Sequence, residues 1–146
     1  MDIRVQEAAF DFGAEAQRFA EGHRMAGAVV TFTGIVRDEA GTLERMEIEH
    51  YPGMTERALA AQAEAARARF GLADVLVIHR HGALAPGEMI MMVATAARHR
   101  ADAFRGAEFL MDYLKSRAPF WKKEFAADGA SWVASKAEDE DALARW

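Results

Sequence analysis

The 146-residue chain contains no cysteine. Disulfides, thiolate metal ligands and a protein-borne persulfide are therefore excluded, and any sulfur chemistry needs a partner to supply the sulfur. It also lacks an uninterrupted apolar run of the roughly 18 residues that a membrane-spanning helix needs, and no basic stretch leading into an apolar one opens the chain. A soluble, cytoplasmic protein is expected. An excess of positive charge is missing too: the formal net charge is -5, which argues against a general nucleic-acid binder. Several signatures are absent as well. There is no GxxxxGK[ST] or GxGxxG for nucleotide phosphates, no GxSxG elbow, and no HExxH zinc motif.

Half of the residues are hydrophobic, enough for a core at this length, and a single domain over residues 1–146 is expected. The charge is uneven. Between Arg98 and Lys123 seven basic residues face three acidic ones, so the rest of the chain carries -9. Such local positive charge suits a small anion, although a helix with basic ends and a solvated loop would account for it equally well.

Asp11 is placed to cap a short helix ending near Gly22, an element expected to be peripheral. The run AVVTFTGIVR, Ala28 to Arg37, reads as a buried strand with a bend or bulge at Gly34, leaving Arg37 at its end. Met46–Tyr51 alternates as a half-buried strand does, and the two are expected to pair antiparallel. Past the turn at Pro52-Gly53, Thr55 is expected to cap an alanine-rich helix that runs to Phe70 and stops at Gly71. Val75–His81 and Met89–Ala96, joined through Ala85-Pro86-Gly87, predict a hairpin. Residues 101–117 predict a second long helix, with Phe104, Ala107, Met111 and Leu114 on its apolar stripe and Pro119 ending it. Trp132–Ser135 predicts a short strand before an acidic tail. These elements add up to an α+β fold, a mainly antiparallel sheet with two long helices and a short N-terminal one. Links between consecutive strands are too short for parallel crossovers.

With no metal or cofactor motif, the chemistry available is that of lysine, arginine and imidazole. His79 and His81 share a strand face, but a metal needs three or four ligands, and structural, hydrogen-bonded histidines are the better reading, as for His23 and His50. His99-Arg100 falls where a strand gives way to a helix, a place suited to binding an anion or simply to a surface junction. Lys115 falls in a helix's last turn, where a cation is favoured by the macrodipole. In the segment APFWKKE, Phe120 and Trp121 are expected to anchor Lys122 and Lys123 beside Lys115. Clustered ammonium groups depress one another's pKa, which makes one of them available as an acid or base.

The segments AVVTFTGIVRD, EIEHYPGMTERAL, VIHRHGALAPGE, HRADAF and MDYLKSRAPFWKKE, followed by Ala144-Arg145-Trp146, occur in this order. Together they resemble the MoaE family, the large catalytic subunits of molybdopterin synthase, from about residue 27 to the C-terminus. The resemblance implies an α/β hammerhead fold and a sulfurtransferase that turns cyclic pyranopterin monophosphate into molybdopterin by installing two sulfur atoms. In that family the sulfur arrives as a thiocarboxylate on a small ubiquitin-like MoaD-type partner, and two large subunits form the centre of a heterotetramer. No cofactor, metal, nucleic acid or membrane enters the implied reaction. Carried over by position, Lys115 lies near the thiocarboxylate and Lys122 near the pterin, while Arg37, His99 and Arg100 bind anions. Lys123 and Glu124 complete the pocket lining, and Ile35 and Val36 lead to the arginine. Some relatives have a basic residue where Ile35 stands, so only a backbone contact is implied there.

Overall fold

The computed structural model describes residues 1–134 and 136–146. Its elements in chain order are β1 (Asp2–Gln6), α1 (Phe12–Glu21), β2 (Ala28–Ile35), β3 (Leu43–His50), α2 (Met54–Phe70) and β4 (Asp74–Arg80). There follow β5 (Gly82–Leu84), β6 (Met89–Ala97), α3 (Arg100–Ser116), β7 (Phe120–Ala126), β8 (Gly129–Val133) and α4 (Ala137–Leu143). The expected α+β class is the one observed, with the strands divided between two four-stranded sheets ordered β1-β4-β6-β2 and β5-β3-β7-β8. All pairings are antiparallel except that of β1 with β4. Of the expected Trp132–Ser135 strand, Trp132 and Val133 belong to β8, and Ser135 lies outside the described residues.

The first sheet is buried on both faces at its two central strands. From β4 and β6, Val75, Val77, Met91 and Val93 join the core under α2 and α3, while Leu76, Ile78, Met92 and Ala94 face the other way. That second face is covered by Phe10, Phe12, Ala16 and Phe19, so α1, peripheral as expected with none of its residues buried, also covers a sheet face. Alternation along β4 therefore separates two buried faces, as apolar covering on both sides allows.

The pairing expected between the second and third strands is not formed. β2 spends its one bonded edge on β6, and β3 lies in the other sheet between β5 and β7. Buried Val36 explains the divergence: its N–H donates to Glu88 O at 2.9 Å and its carbonyl accepts from Gly87 N at 2.8 Å, so the chain is clasped to the β5–β6 turn before it crosses to the second sheet. Nor is β2 a buried strand. It is a sheet edge with Val29, Phe32 and Ile35 exposed, because β-branched composition favours a strand without settling its place in the sheet.

Two helix details also differ. Gly53, at φ 82°, caps α2, and its N–H donates to Glu56 Oε2 at 2.6 Å. Thr55 lies inside the first turn, where its hydroxyl donates to Tyr51 O at 2.9 Å and accepts from Tyr51 N. On α3, Phe104 is 60% exposed, and the packed positions are Ala103, Gly106, Ala107, Leu110 and Leu114. Small residues win because the helix lies close to its neighbours: a Cβ on Gly106 would sit 2.7 Å from Leu72 Cδ1.

The C-terminal residues close the α2–α3 layer. Trp146 meets Phe70 and Phe109 edge to face at 5.6 and 5.5 Å, and its indole N–H donates to Asp112 Oδ2 at 2.5 Å. Arg145 donates to the same oxygen from Nη2 at 2.9 Å and from Nε at 3.2 Å. Asp112→Ala leaves the half-buried indole donor unpaired, while Arg145, half exposed, keeps Glu108 at 3.1 Å and regains water. The expected cost is roughly 1–3 kcal/mol, seen as a lower urea midpoint at unchanged slope. An unchanged midpoint would show that this clasp does not stabilise the fold.

Candidate functional site

The site grows from the end of α3 and the start of β7. Lys115 lies in the last turn of α3, Arg117 caps it, and Phe120 opens β7 three residues later. A strand places residues two apart on one face, so Phe120 and Lys122 point together toward β4. There the Phe120 ring stacks on the His79 ring at 3.7 Å and 16°. Only one of the two expected aromatic anchors enters the interior: Trp121 takes the opposite face of β7, 43% exposed, with its edge against Tyr51 at 4.8 Å.

Lys115 and Lys122 line two adjoining cavities. One, of about 160 Å³, includes Ser116, Lys136 and Asp139, and the other, of about 60 Å³, includes Gly34, Ile35, His79 and Met91. Burial first and the Lys115 charge second bring the Lys122 pKa down to about 8, with Asp139 opposing both. The mutual depression expected of neighbouring lysines is thus present at Lys122 as the second cause, behind loss of water. His79 is pushed down to about 3, first by burial and next by the charge of Lys122. A cavity with one exposed and one half-buried lysine offers a charge for an anion together with a group that exchanges a proton near neutrality.

The remaining sequence-derived site residues spread outward. Ile35 reaches the smaller cavity, while Val36 is buried and its backbone committed. Arg37, 66% exposed, is paired with Glu39 at 2.8 Å and lines a separate cavity that also holds Glu124. Lys123 faces away from Lys122 and sits 5.1 Å from the Trp132 ring and 5.4 Å from that of Phe125. His99 caps the start of α3 and Arg100 is its first residue, so this pair stands a helix length of about 24 Å from Lys115. A single copy of the chain does not join the two basic groups.

Three residues escaped the sequence reading of the site. His79 was read as purely structural, and Lys136 and Asp139 as part of an acidic tail, yet all three line the lysine cavities. The local signal for His79 was its position two residues before His81 in a strand, and that says nothing of β7 packing over it. The expectation of hydrogen-bonded histidines is met at His23, which bonds Asp74 Oδ2 at 3.0 Å. It is not met at His50, whose buried Nδ1 has no partner among the described residues while its ring lies 4.4 Å from that of His81.

Comparison with known proteins agrees with this geometry. The family model described as "MoaE protein" matches residues 5–117. The molybdopterin synthase catalytic subunit of Cereibacter sphaeroides is 70% identical over 146 residues, covering 100% of both chains. Among solved structures, the molybdopterin biosynthesis MoaE protein from Burkholderia ambifaria superposes with a TM-score of 0.84 at 49% identity, covering 100% of this chain and 98% of that one. Molybdopterin synthase from Staphylococcus aureus gives 0.80 at 29% identity, covering 90% and 96%. No helix among the described residues is long and apolar enough to cross a membrane.

Proposed function

The chain belongs to the MoaE family of molybdopterin synthase catalytic subunits, and from that membership we propose that its lysine cavities are where sulfur passes from a partner's tail to a pterin phosphate. The observation that carries the reading is the pairing of Lys115 with half-buried Lys122, whose proton is lost near pH 8. The substrate is cyclic pyranopterin monophosphate, and the sulfur donor is the thiocarboxylated C-terminus of a small MoaD-type subunit. With no cysteine of its own, the chain depends on that donor for both sulfur atoms.

Lys115 stabilises negative charge developing at the thiocarboxylate carbonyl, and Lys122 moves protons at the pterin side chain. Arg37, His99 and Arg100 neutralise phosphate through charge-assisted hydrogen bonds. Ile35 contributes backbone at the smaller cavity, Val36 holds that segment in place through its bonds to the β5–β6 turn, and Glu124 borders the Arg37 cavity. Lys123 acts from the opposite face of β7, by holding the aromatic side chains of the β7–β8 hairpin.

The position of His99 and Arg100 calls for a second copy of the chain. β2 is an open sheet edge. It begins just after Gly27, whose N–H donates at 3.0 Å to Ala97 O at the end of β6, a few residues ahead of α3, and its last residues reach the lysine cavity. Antiparallel pairing of two such edges about a two-fold axis sets the beginning of one β2 beside the end of the other. Each lysine cavity then faces the basic α3 start of the neighbouring copy. A homodimer of this kind, with one small subunit at each lysine site, is the heterotetramer the family resemblance implies.

Incubation with the thiocarboxylated small subunit and cyclic pyranopterin monophosphate is expected to yield the dithiolene product, read by mass spectrometry. The plain carboxylate form of the partner is expected to yield none. Absence of product from competent reagents would instead favour a module that binds the pterin phosphate without converting it.

A further inference from the structure

Lys122 has an imidazole beneath it to which the proposed reaction gives no task. His79, near the end of β4, is 2% exposed. Its Nδ1 lies 2.8 Å from the main-chain oxygen of Arg80. A carbonyl can only accept, so Nδ1 carries the proton and Nε2 keeps its lone pair. The ring lies flat against Phe120, and Lys122, two residues on along the same face of β7, lines the same cavity and acts on it by charge.

The lining of the smaller cavity shows what that lone pair is for. Around Lys115 and Lys122 stand Phe32, Gly34, Ile35, Ile90, Met91, Met111 and Leu114, and no carboxylate among the described residues. The carboxylate of Asp139 lies in the adjoining cavity instead. His79 Nε2 is therefore the strongest side-chain acceptor on that wall, in the same cavity as an ammonium that has lost much of its water. The charged and titratable groups acting on His79 are Lys122 from β7, Lys115 from α3 and His50 from β3. At its paired positions β6 supplies Met91 and β1 supplies Val5, neither of them charged. Burial keeps the imidazole neutral at every pH where the enzyme would work, so the acceptor is never lost to protonation.

We propose that His79 is a positioning residue for Lys122: when the lysine turns into the smaller cavity they share, His79 Nε2 accepts a hydrogen bond from its ammonium, holding Nζ at the cavity wall and setting the pH at which the lysine releases its proton. The proposal deepens the reading of Lys122 as the proton-moving group and rests on it for its kinetic consequence alone. The hydrogen bond itself needs neither substrate nor partner. A neutral acceptor stabilises the charged form of its donor, so removing it lowers the pKa of the lysine.

His79→Phe keeps a flat ring against Phe120 and deletes the acceptor. The Lys122 midpoint, followed by nitrogen NMR of the side chain, is expected to fall by about one pH unit, a tenfold loss of proton affinity. The limb of the single-turnover pH profile set by Lys122 is expected to move by the same amount, with a plateau about tenfold lower because Nζ is no longer held. His79→Gln, which retains a side-chain acceptor, is expected to recover much of both. A variant that loses only stability, with midpoint and profile unmoved, would overturn the proposal. Should His79→Phe fail to fold, the native protein gives the answer: the His79 Nε2 resonance is expected to be that of an unprotonated nitrogen and to shift as Lys122 titrates near pH 8, a response absent in Lys122→Met. A protonated Nε2, or one indifferent to Lys122, would refute the hydrogen bond. If the Lys122 midpoint moves in His79→Phe while Lys122→Met still makes product at the native rate, the hydrogen bond stands and the catalytic reading of Lys122 falls.

Discussion

Lys115→Ala is expected to slow single-turnover dithiolene formation by about 10²–10³-fold, the usual loss when one preorganised donor to a developing oxyanion is removed. The fold should survive the change. Lys115 is exposed at the end of α3, and its interaction with the helix dipole is worth roughly 0.3–1 kcal/mol. Lys115→Arg keeps the charge yet replaces a compact ammonium with a broad planar fork, so it should recover stability fully and rate only in part. The measurement is product formed per site after mixing with thiocarboxylated small subunit, beside a urea titration of each variant. Near-native conversion by the alanine variant would remove Lys115 from the reaction, while equal losses of rate and stability would assign it a structural part.

Mixing two nearly inactive variants is expected to restore activity. Arg100 and Lys115 stand at opposite ends of α3, about 22 Å apart, so no single chain brings them to one ligand. If each site takes Lys115 from one copy and Arg100 from the other, a Lys115→Ala/Arg100→Ala heterodimer carries one site with both defects and one with neither. After random exchange about a quarter of all sites should be intact, raising the rate at least tenfold above either variant alone. Dimers exchanged to equilibrium, confirmed by mass, that gain no activity would show that Arg100 does not act across the two-fold.

Much of the local structure was legible because short-range physics decides it. Asp11 accepts from Ala14 N at 3.0 Å just as a capping side chain should, and Gly71 ends α2 in the left-handed conformation at φ 63° that favours glycine. The two long helices fall within a residue or two of their expected limits. What stayed hidden depends on partners distant in sequence. β1 carried too few residues and too plain a pattern to be seen, and it forms because β4 offers it a parallel edge. The stripe of α3 was misplaced at Phe104 because periodicity marks large apolar residues, whereas a closely packed helix buries its small ones.

The candidate site divides along the same line. Residue identity and order alone established the family, the absence of any sulfur of the protein's own, and the basic residues on which the reaction would draw, because these are properties of a string. Tertiary structure decided which of those residues meet. It paired β2 with β6 and β3 with β7, since an alternating strand is satisfied by any partner of matching pattern and only the competition among all strands selects one. That choice folded β7 over β4, put Lys122 in one cavity with buried His79 and Lys115, and lowered its pKa by taking away water, an effect no count of charges contains. The same choice left His99 and Arg100 a helix length away, because nearness in sequence composition is no measure of distance once a rigid helix stands between.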